Sequence, residues 1–192
     1  MKADTTATAD TASGGPGNGE NPVDPGNVVD KPLTAEQVPQ IDNIELLFFA
    51  YRAFTSDPDR ILARFDFGRA HHRALYFVSR RPGMTVAELI AILGITKQSL
   101  SRVLRQLIQS GHIHQRTGRV DRRQRRLYPT EAGHALVLEL SRPQSRRIAD
   151  ALKKCGLNDS DSISCFMRAM IDPSERELLN GLMPDHQQGS SD

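Results

Sequence analysis

The chain has 192 residues, room for one or two domains, and a net charge of only +2. Two cysteines, Cys155 and Cys165, make no disulfide framework and point to a reducing, cytoplasmic setting. The opening residues hold no apolar run of signal-peptide length, and the longest strongly apolar stretch, Ile44 to Tyr51, is far too short to cross a bilayer. A soluble intracellular protein is expected.

Residues 1–40 are rich in Thr, Ala, Gly, Asn, Pro and Asp and sum to −4, with almost no large apolar side chain before Leu33. Such a segment cannot bury enough surface to offset backbone ordering, so it reads as a disordered tail. Order should begin near Ile41. Ile44, Leu47, Phe48 and Tyr51 repeat at helical spacing, and Leu46 and Phe49 widen the apolar surface. A helix apolar over so much of its circumference needs more than one neighbour, and a second subunit is one way to supply it. This helix should stop at Ser56-Asp57-Pro58, because the residue before a proline avoids the α region.

Asp59 to Arg81 reads as a helical turn and then a longer helix with Phe67, Ala74, Leu75 and Val78 on its apolar stripe, ended by Arg81-Pro82-Gly83. Thr85 with Glu88 three residues later has capping-box spacing and starts a short helix, Val86 to Leu93, which Gly94 ends. Thr96 caps the next helix, which runs to about Ser110 and Gly111. Its positions Leu100, Val103, Leu104, Leu107 and Ile108 form one stripe, expected to be core. Gln98, Ser101, Arg102 and Arg105 fall on the other side. Two helices joined by so tight a turn make a helix-turn-helix pattern. His112-Ile113-His114 and Leu127-Tyr128-Pro129 then read as two short strands around a loop from Arg116 to Arg126, the wing of a winged version. From Thr96 to Thr130 nine Lys and Arg residues accompany a single acid, Asp121, a segment of +8 in a chain of +2.

Thr130-Glu131-Ala132 opens a long helix reaching about Cys155, stopped by Gly156, with a kink expected at Pro143. A helical segment with Ile163, Phe166, Met167 and Met170 follows, and Asp172-Pro173-Ser174-Glu175 starts a last helix through Leu178, Leu179 and Leu182. The end, 184–192, is polar and expected to fray. The fold class is therefore mainly α: a winged helix-turn-helix with a small β-wing, flanked by N- and C-terminal helices.

Three motifs resemble the MarR family of transcriptional regulators. They are Thr85-Val86-Ala87-Glu88-Leu89 running into Ile95-Thr96-Lys97-Gln98-Ser99-Leu100-Ser101-Arg102, the wing signature Asp121-Arg122-Arg123 with Leu127, Pro129 and Thr130, and the helix start Thr130-Glu131-Ala132-Gly133. Arg73-Ala74-Leu75 and Lys97-Gln98-Ser99-Leu100 are similar to the PetP-like subgroup. The resemblance covers about residues 41–183 and implies a homodimer on double-stranded DNA. Its winged-helix lobe would be 57–130, its dimerisation helices 41–56 and 131–183, and its operator palindromic. It also implies a small-molecule or redox effector, since family members often respond to small aromatic acids or oxidants in a cleft between the dimerisation helices and the DNA-binding lobe.

In that reading Gln98 can bond bidentately to adenine and Arg102 or Arg105 to guanine. Thr96, Ser99 and Ser101 meet phosphates or close base edges, and Lys97 supplies charge to the backbone. Arg123 enters an adjacent minor groove. Asp121 orients a wing arginine, and Arg122, Arg125 and Arg126 share the remaining phosphate and structural roles. His71 and His72 should point to different faces of their helix and serve as ordinary structural residues, with an effector pocket or a dimer interface as the alternatives. His112 and His114 lack metal-ligand spacing and read as structural or DNA-proximal. Cys155 and Cys165 are expected to be plain buried thiols. No Gly-rich phosphate loop, His-Glu-x-x-His, nucleophile elbow or grouped acid pair points to an enzyme, and no cofactor is called for. The rival to a DNA-binding regulator is a winged-helix protein-interaction or RNA-binding module, because fold alone does not set the partner.

Overall fold

The computed structural model of the chain describes residues 29–118, 124–157 and 160–182. The chain divides into two units, 1–41 and 42–192. The described part of the first holds two successive turns: Gln37 and Val38 N–H return to the Thr34 carbonyl, with the Gln37 amide oxygen accepting from Thr34 N–H, and Ile41 N–H returns to the Val38 carbonyl.

Apart from Ile41, the first residue of α1, the second unit holds α1 (Ile41–Leu62), a 3-10 turn (Ala63–Phe65), α2 (Arg69–Arg80), β1 (Met84–Thr85), α3 (Val86–Leu93), α4 (Lys97–Gln109), β2 (Ile113–Thr117), β3 (Arg125–Pro129), α5 (Glu131–Lys154), α6 (Asp161–Met170) and α7 (Pro173–Leu182). The caps fall where the sequence puts them. Thr85 Oγ1 accepts from Glu88 N–H while the Glu88 carboxylate accepts from Thr85 N–H, and that backbone donor holds Glu88 below the usual carboxylate range. Gly94 ends α3 in the left-handed region, with φ of 60°, where a Cβ would be strained. Thr96 and Thr130 cap α4 and α5 with their side-chain oxygens alone, accepting from Ser99 N–H and Gly133 N–H.

The first departure is at Pro58. The helix does not stop at Ser56 but passes through the proline to Leu62. A proline leaves the carbonyl four residues back without its helical donor. Here that carbonyl, of Phe54, accepts from Gln144 Nε2 on α5 at 3.4 Å, and the Pro58 ring itself is buried. Beside it Asp57 accepts from Arg147 at 2.9 Å and pairs with Arg60, and the Arg147 bond leads in holding its carboxyl below the usual range. Tertiary partners from α5 therefore carry α1 across a residue that ends most helices.

The core lies in the winged-helix part. Leu62, Leu75, Val78, Met84, Leu89, Leu100, Leu107, Ile113, Leu127 and Leu140 are all at or below 2% exposure. Burying one such leucine is worth about 1.5–3 kcal/mol against leaving it in water. The sheet is three-stranded and antiparallel in the order β1-β3-β2. Met84 pairs with Leu127 and Thr85 with Arg126, while β2 and β3 are in register from Ile113↔Pro129 to Thr117↔Arg125. This corrects the expected wing in two ways. Arg116, Arg125 and Arg126 stand in strands and outside any loop, and the two residues before α3 add a third strand. Phe67 also lies outside its helix. It precedes Gly68 and stacks on His71 with ring centroids 4.8 Å apart.

Large apolar side chains elsewhere are uncovered in the single chain. Phe48, Phe49 and Tyr51 on α1 and Phe166, Met167 and Met170 on α6 are each more than half exposed. Cys155 and Cys165 are exposed too, contrary to the expected buried thiols. The first sits at the end of α5 beyond its packed half, and the second lies on α6, none of whose described residues is buried. No described helix is long and apolar enough to cross a membrane.

Candidate nucleic-acid interface

Helix α4 is two-faced because of its spacing. Leu100, Val103, Leu104 and Leu107 are buried against the core. Ile108 is the exception to the expected stripe: at 36% exposure it sits on the margin of the helix's buried face. Opposite, Gln98, Ser101, Arg102 and Arg105 occupy one exposed face at i, i+3, i+4 and i+7, and Thr96, Lys97 and Ser99 are exposed at the helix start. Thr96 Oγ1 accepts from Ser99 N–H at 3.2 Å and its own hydroxyl donates to Ser99 Oγ at 3.0 Å. Ser99 thus still has a hydroxyl proton to donate. A capped helix start with a lysine beside it is electropositive and suits an anion such as a phosphate.

The wing strands continue this basic surface, but their arginines do different work. The Arg116 guanidinium lies over the Tyr128 ring, 5.0 Å from its centroid. Arg126 Nη1 donates to the Gly83 carbonyl at 2.9 Å and so ties β3 to the approach to β1. Arg81 pairs with Glu88 at 2.9 Å at the same corner. Arg125, exposed at the start of β3, carries no such tie among the hydrogen bonds and ion pairs described. Asp121, Arg122 and Arg123, to which the sequence assigns the wing tip, lie outside the described residues.

Three features give the histidines and the expected cleft their particular partners. His71, expected to be an ordinary structural residue, links two elements: its Nδ1 accepts from Gly68 N–H at 3.0 Å and its Nε2 lies 2.7 Å from Gln106 Oε1 on α4. His112 packs edge-on against Phe65 and Phe67, its Nδ1 lies 2.9 Å from Ser110 Oγ, and burial pushes its imidazole below the ordinary value. The third feature is a cleft of about 640 Å³ between α1, α2 and α5, whose lining includes Tyr51, Arg69, His72, Arg73, Tyr76 and Ile148. Arg69 makes a two-point pair with Asp59, at 3.0 and 2.7 Å, on this wall. Burial pushes the His72 imidazole down, and the nearby Asp59 charge opposes it. His71 and His72 do point to different faces, one to α4 and one to the cleft. A signal for the cleft exists in the sequence: Arg69, His72, Arg73 and Tyr76 recur at i, i+3, i+4 and i+7 as a polar-aromatic stripe opposite the core stripe of α2.

Comparison with known proteins adds independent evidence. A model of the MarR family matches residues 65–124. The HTH-type transcriptional regulator PetP of Rhodobacter capsulatus is 50% identical over 144 residues, which is 75% of this chain and 86% of that protein. Among solved structures, a MarR protein of Peptoclostridium difficile aligns with a TM-score of 0.63 over 80% of this chain and 99% of its own, at 16% identity. The transcriptional repressor CouR bound to a 23-mer DNA duplex aligns with a TM-score of 0.54 over 73% of this chain and 96% of its own, at 20% identity. At such identities the structural likeness speaks for the fold alone.

Proposed function

The chain belongs to the MarR family of DNA-binding transcriptional regulators, and from that premise we propose that it binds a palindromic operator as a homodimer whose affinity a small molecule adjusts. The observation that carries the DNA-reading part is the exposed polar face of α4, with Gln98, Ser101, Arg102 and Arg105 side by side and a capped, lysine-bearing start. In this reading α4 lies in the major groove, where Arg102 or Arg105 reads guanine and Gln98 reads adenine. Thr96, Lys97, Ser99 and Ser101 hold the backbone. Arg125 adds a phosphate contact from the wing root, Arg122 shares the phosphate contacts, Arg123 enters the minor groove, and Asp121 orients a wing arginine.

The uncovered apolar side chains of α1 and α6 support a second copy as the missing neighbour, since monomeric proteins rarely leave large contiguous apolar patches in water. A closed two-fold dimer presents two α4 helices and so selects a two-fold DNA site. The cleft between α1, α2 and α5 supports the effector. It meets the dimerisation helices on one side and α2 of the DNA-binding lobe on the other. A ligand held there shifts DNA affinity if it binds the two arrangements unequally. Its tyrosines, Ile148 and cationic Arg73 suit a small apolar molecule with one negative group.

Selection of duplexes from a randomised pool by the full chain tests this reading. The expected product is a family of two-fold-symmetric sites that unrelated RNA does not displace. Asymmetric products overturn the two-fold reading, and displacement by RNA at equal concentration overturns DNA recognition in favour of an RNA-binding module. On a selected site, Arg102→Ala and Arg123→Ala each lose about 1–3 kcal/mol of binding and flatten the salt dependence. Asp121→Ala weakens binding although it removes a negative charge.

A further inference from the structure

We infer that His71 is a positioning residue for DNA recognition: it fixes the recognition helix α4 against the start of α2 through one hydrogen bond to Gln106. The inference rests on the DNA-binding reading above and adds a residue that does not itself touch DNA. Three contacts determine the state of the ring. Gly68 N–H donates to Nδ1 at 3.0 Å, so Nδ1 carries no proton. The neutral ring then carries its proton on Nε2, which donates to Gln106 Oε1 at 2.7 Å. Phe67 lies flat against the imidazole, with ring centroids 4.8 Å apart and planes 8° from parallel, and stops it turning away. The side chain is therefore a short strut with one end on the amide of Gly68, the N-cap of α2, and the other on α4.

Gln106 follows Arg105 directly and lies one helical turn beyond Arg102. A tie at this point resists rotation of α4 about its own axis. Such a rotation would swing Arg102 and Arg105 across the base edges while leaving the buried leucine stripe only slightly disturbed. Discrimination between duplexes needs that angle held, and non-specific attraction to phosphates does not. The strut also has a second consequence. His72, Arg73 and Tyr76, which follow on α2, line the cleft. The bond thus joins a cleft wall to the helix that reads DNA.

The two ring nitrogens can be tested apart. Asn at 71 offers an oxygen near the Nδ1 position but ends short of Gln106, whereas Gln offers an N–H near the Nε2 position but no acceptor for Gly68. A duplex selected by the wild-type chain and a scrambled duplex serve as probes. His71→Asn is expected to lower the selected-to-scrambled affinity ratio roughly three- to tenfold, the scale of one hydrogen bond, with a fall in thermal midpoint no larger than that of His71→Gln. His71→Gln is expected to keep the ratio and lower the midpoint. Gln106→Leu should lower the ratio as His71→Asn does, and the double variant His71→Asn/Gln106→Leu should lose no more than either alone. Additive losses, or equal effects of Asn and Gln on the ratio, overturn the inference and leave His71 a helix cap. If His71→Gln does not fold, the double-variant comparison decides. A wild-type chain that selects no duplex sinks the DNA-binding reading itself, and that is seen before any variant is made.

Discussion

Gly133 is the third residue of α5 and lies where the helix meets the entrance to β2. A Cβ built on it would stand 2.0 Å from the His112 carbonyl oxygen, 2.9 Å from its carbon and 3.2 Å from Leu75 Cδ1. Relief needs the two backbones to part by at least about 1 Å, a large displacement for a close-packed interior. Neither side yields easily. His112 N–H is bonded to the Leu107 carbonyl at 2.9 Å, and its carbonyl accepts from Thr130 N–H at 3.1 Å, while Gly133 N–H donates to Thr130 Oγ1 at 3.0 Å. For Gly133→Ala, helix propensity favours the variant by about 1 kcal/mol. Overpacking costs about 1–3 kcal/mol or more, and loss of the Thr130–His112 bond about 0.5–1.5 kcal/mol. The net expectation is a loss of about 2 kcal/mol. Urea titration at fixed protein concentration reads it as a lower midpoint with the slope retained. Gly133→Ala as stable as the wild-type chain, or more so, would refute the reasoning, because propensity alone would then have decided the outcome.

Other predictions use other parts of the molecule. Phe166→Glu and Phe48→Glu should each turn a dimer into a folded monomer on light scattering, while a wild-type chain that is monomeric at micromolar concentration removes the dimer proposal. His112 and His72 are both held below the ordinary histidine value, by burial first, with Asp59 opposing at His72. Below about pH 6.5 the unfolded chain therefore binds more protons than the folded one, so the thermal midpoint should fall on acidification from about pH 7.5 to 5.5. A midpoint that rises over that window reverses the sign and refutes it. Gln144→Leu leaves the Phe54 carbonyl without its donor and should cost about 1 kcal/mol in urea titration; no change would mean that water replaces the amide.

The caps at Thr85, Thr96 and Thr130 were legible because a cap is local: the residue that accepts and the amide that donates lie three positions apart. So was the two-faced α4, apart from Ile108. What the sequence hid is non-local. Pro58 looks like a stop until Gln144, far along the chain, is brought to the Phe54 carbonyl. The His71–Gln106 bond spans two helices, and the cleft takes its walls from three. β1 has two residues, too few to show an alternation. The exposure of Cys155 and Cys165 follows from a surface that lacks a neighbour in the single chain, which no pattern within a helix can reveal.

Thr85 belongs to two structures at once. Its backbone lies opposite Arg126 in the sheet, and its side chain caps α3. A strand moved by one residue turns its other face inward. Adding or deleting one residue between Pro82 and Val86 would therefore either uncap α3 or slip Met84 out of the core. For anyone grafting this DNA-reading element onto another scaffold, helices α3 and α4 alone are not a portable module. The smallest transplant that keeps its own joints runs from Gly68 to Pro129, with α2, its His71 tie to Gln106 and the wing carried along as part of the hinge that sets the helices.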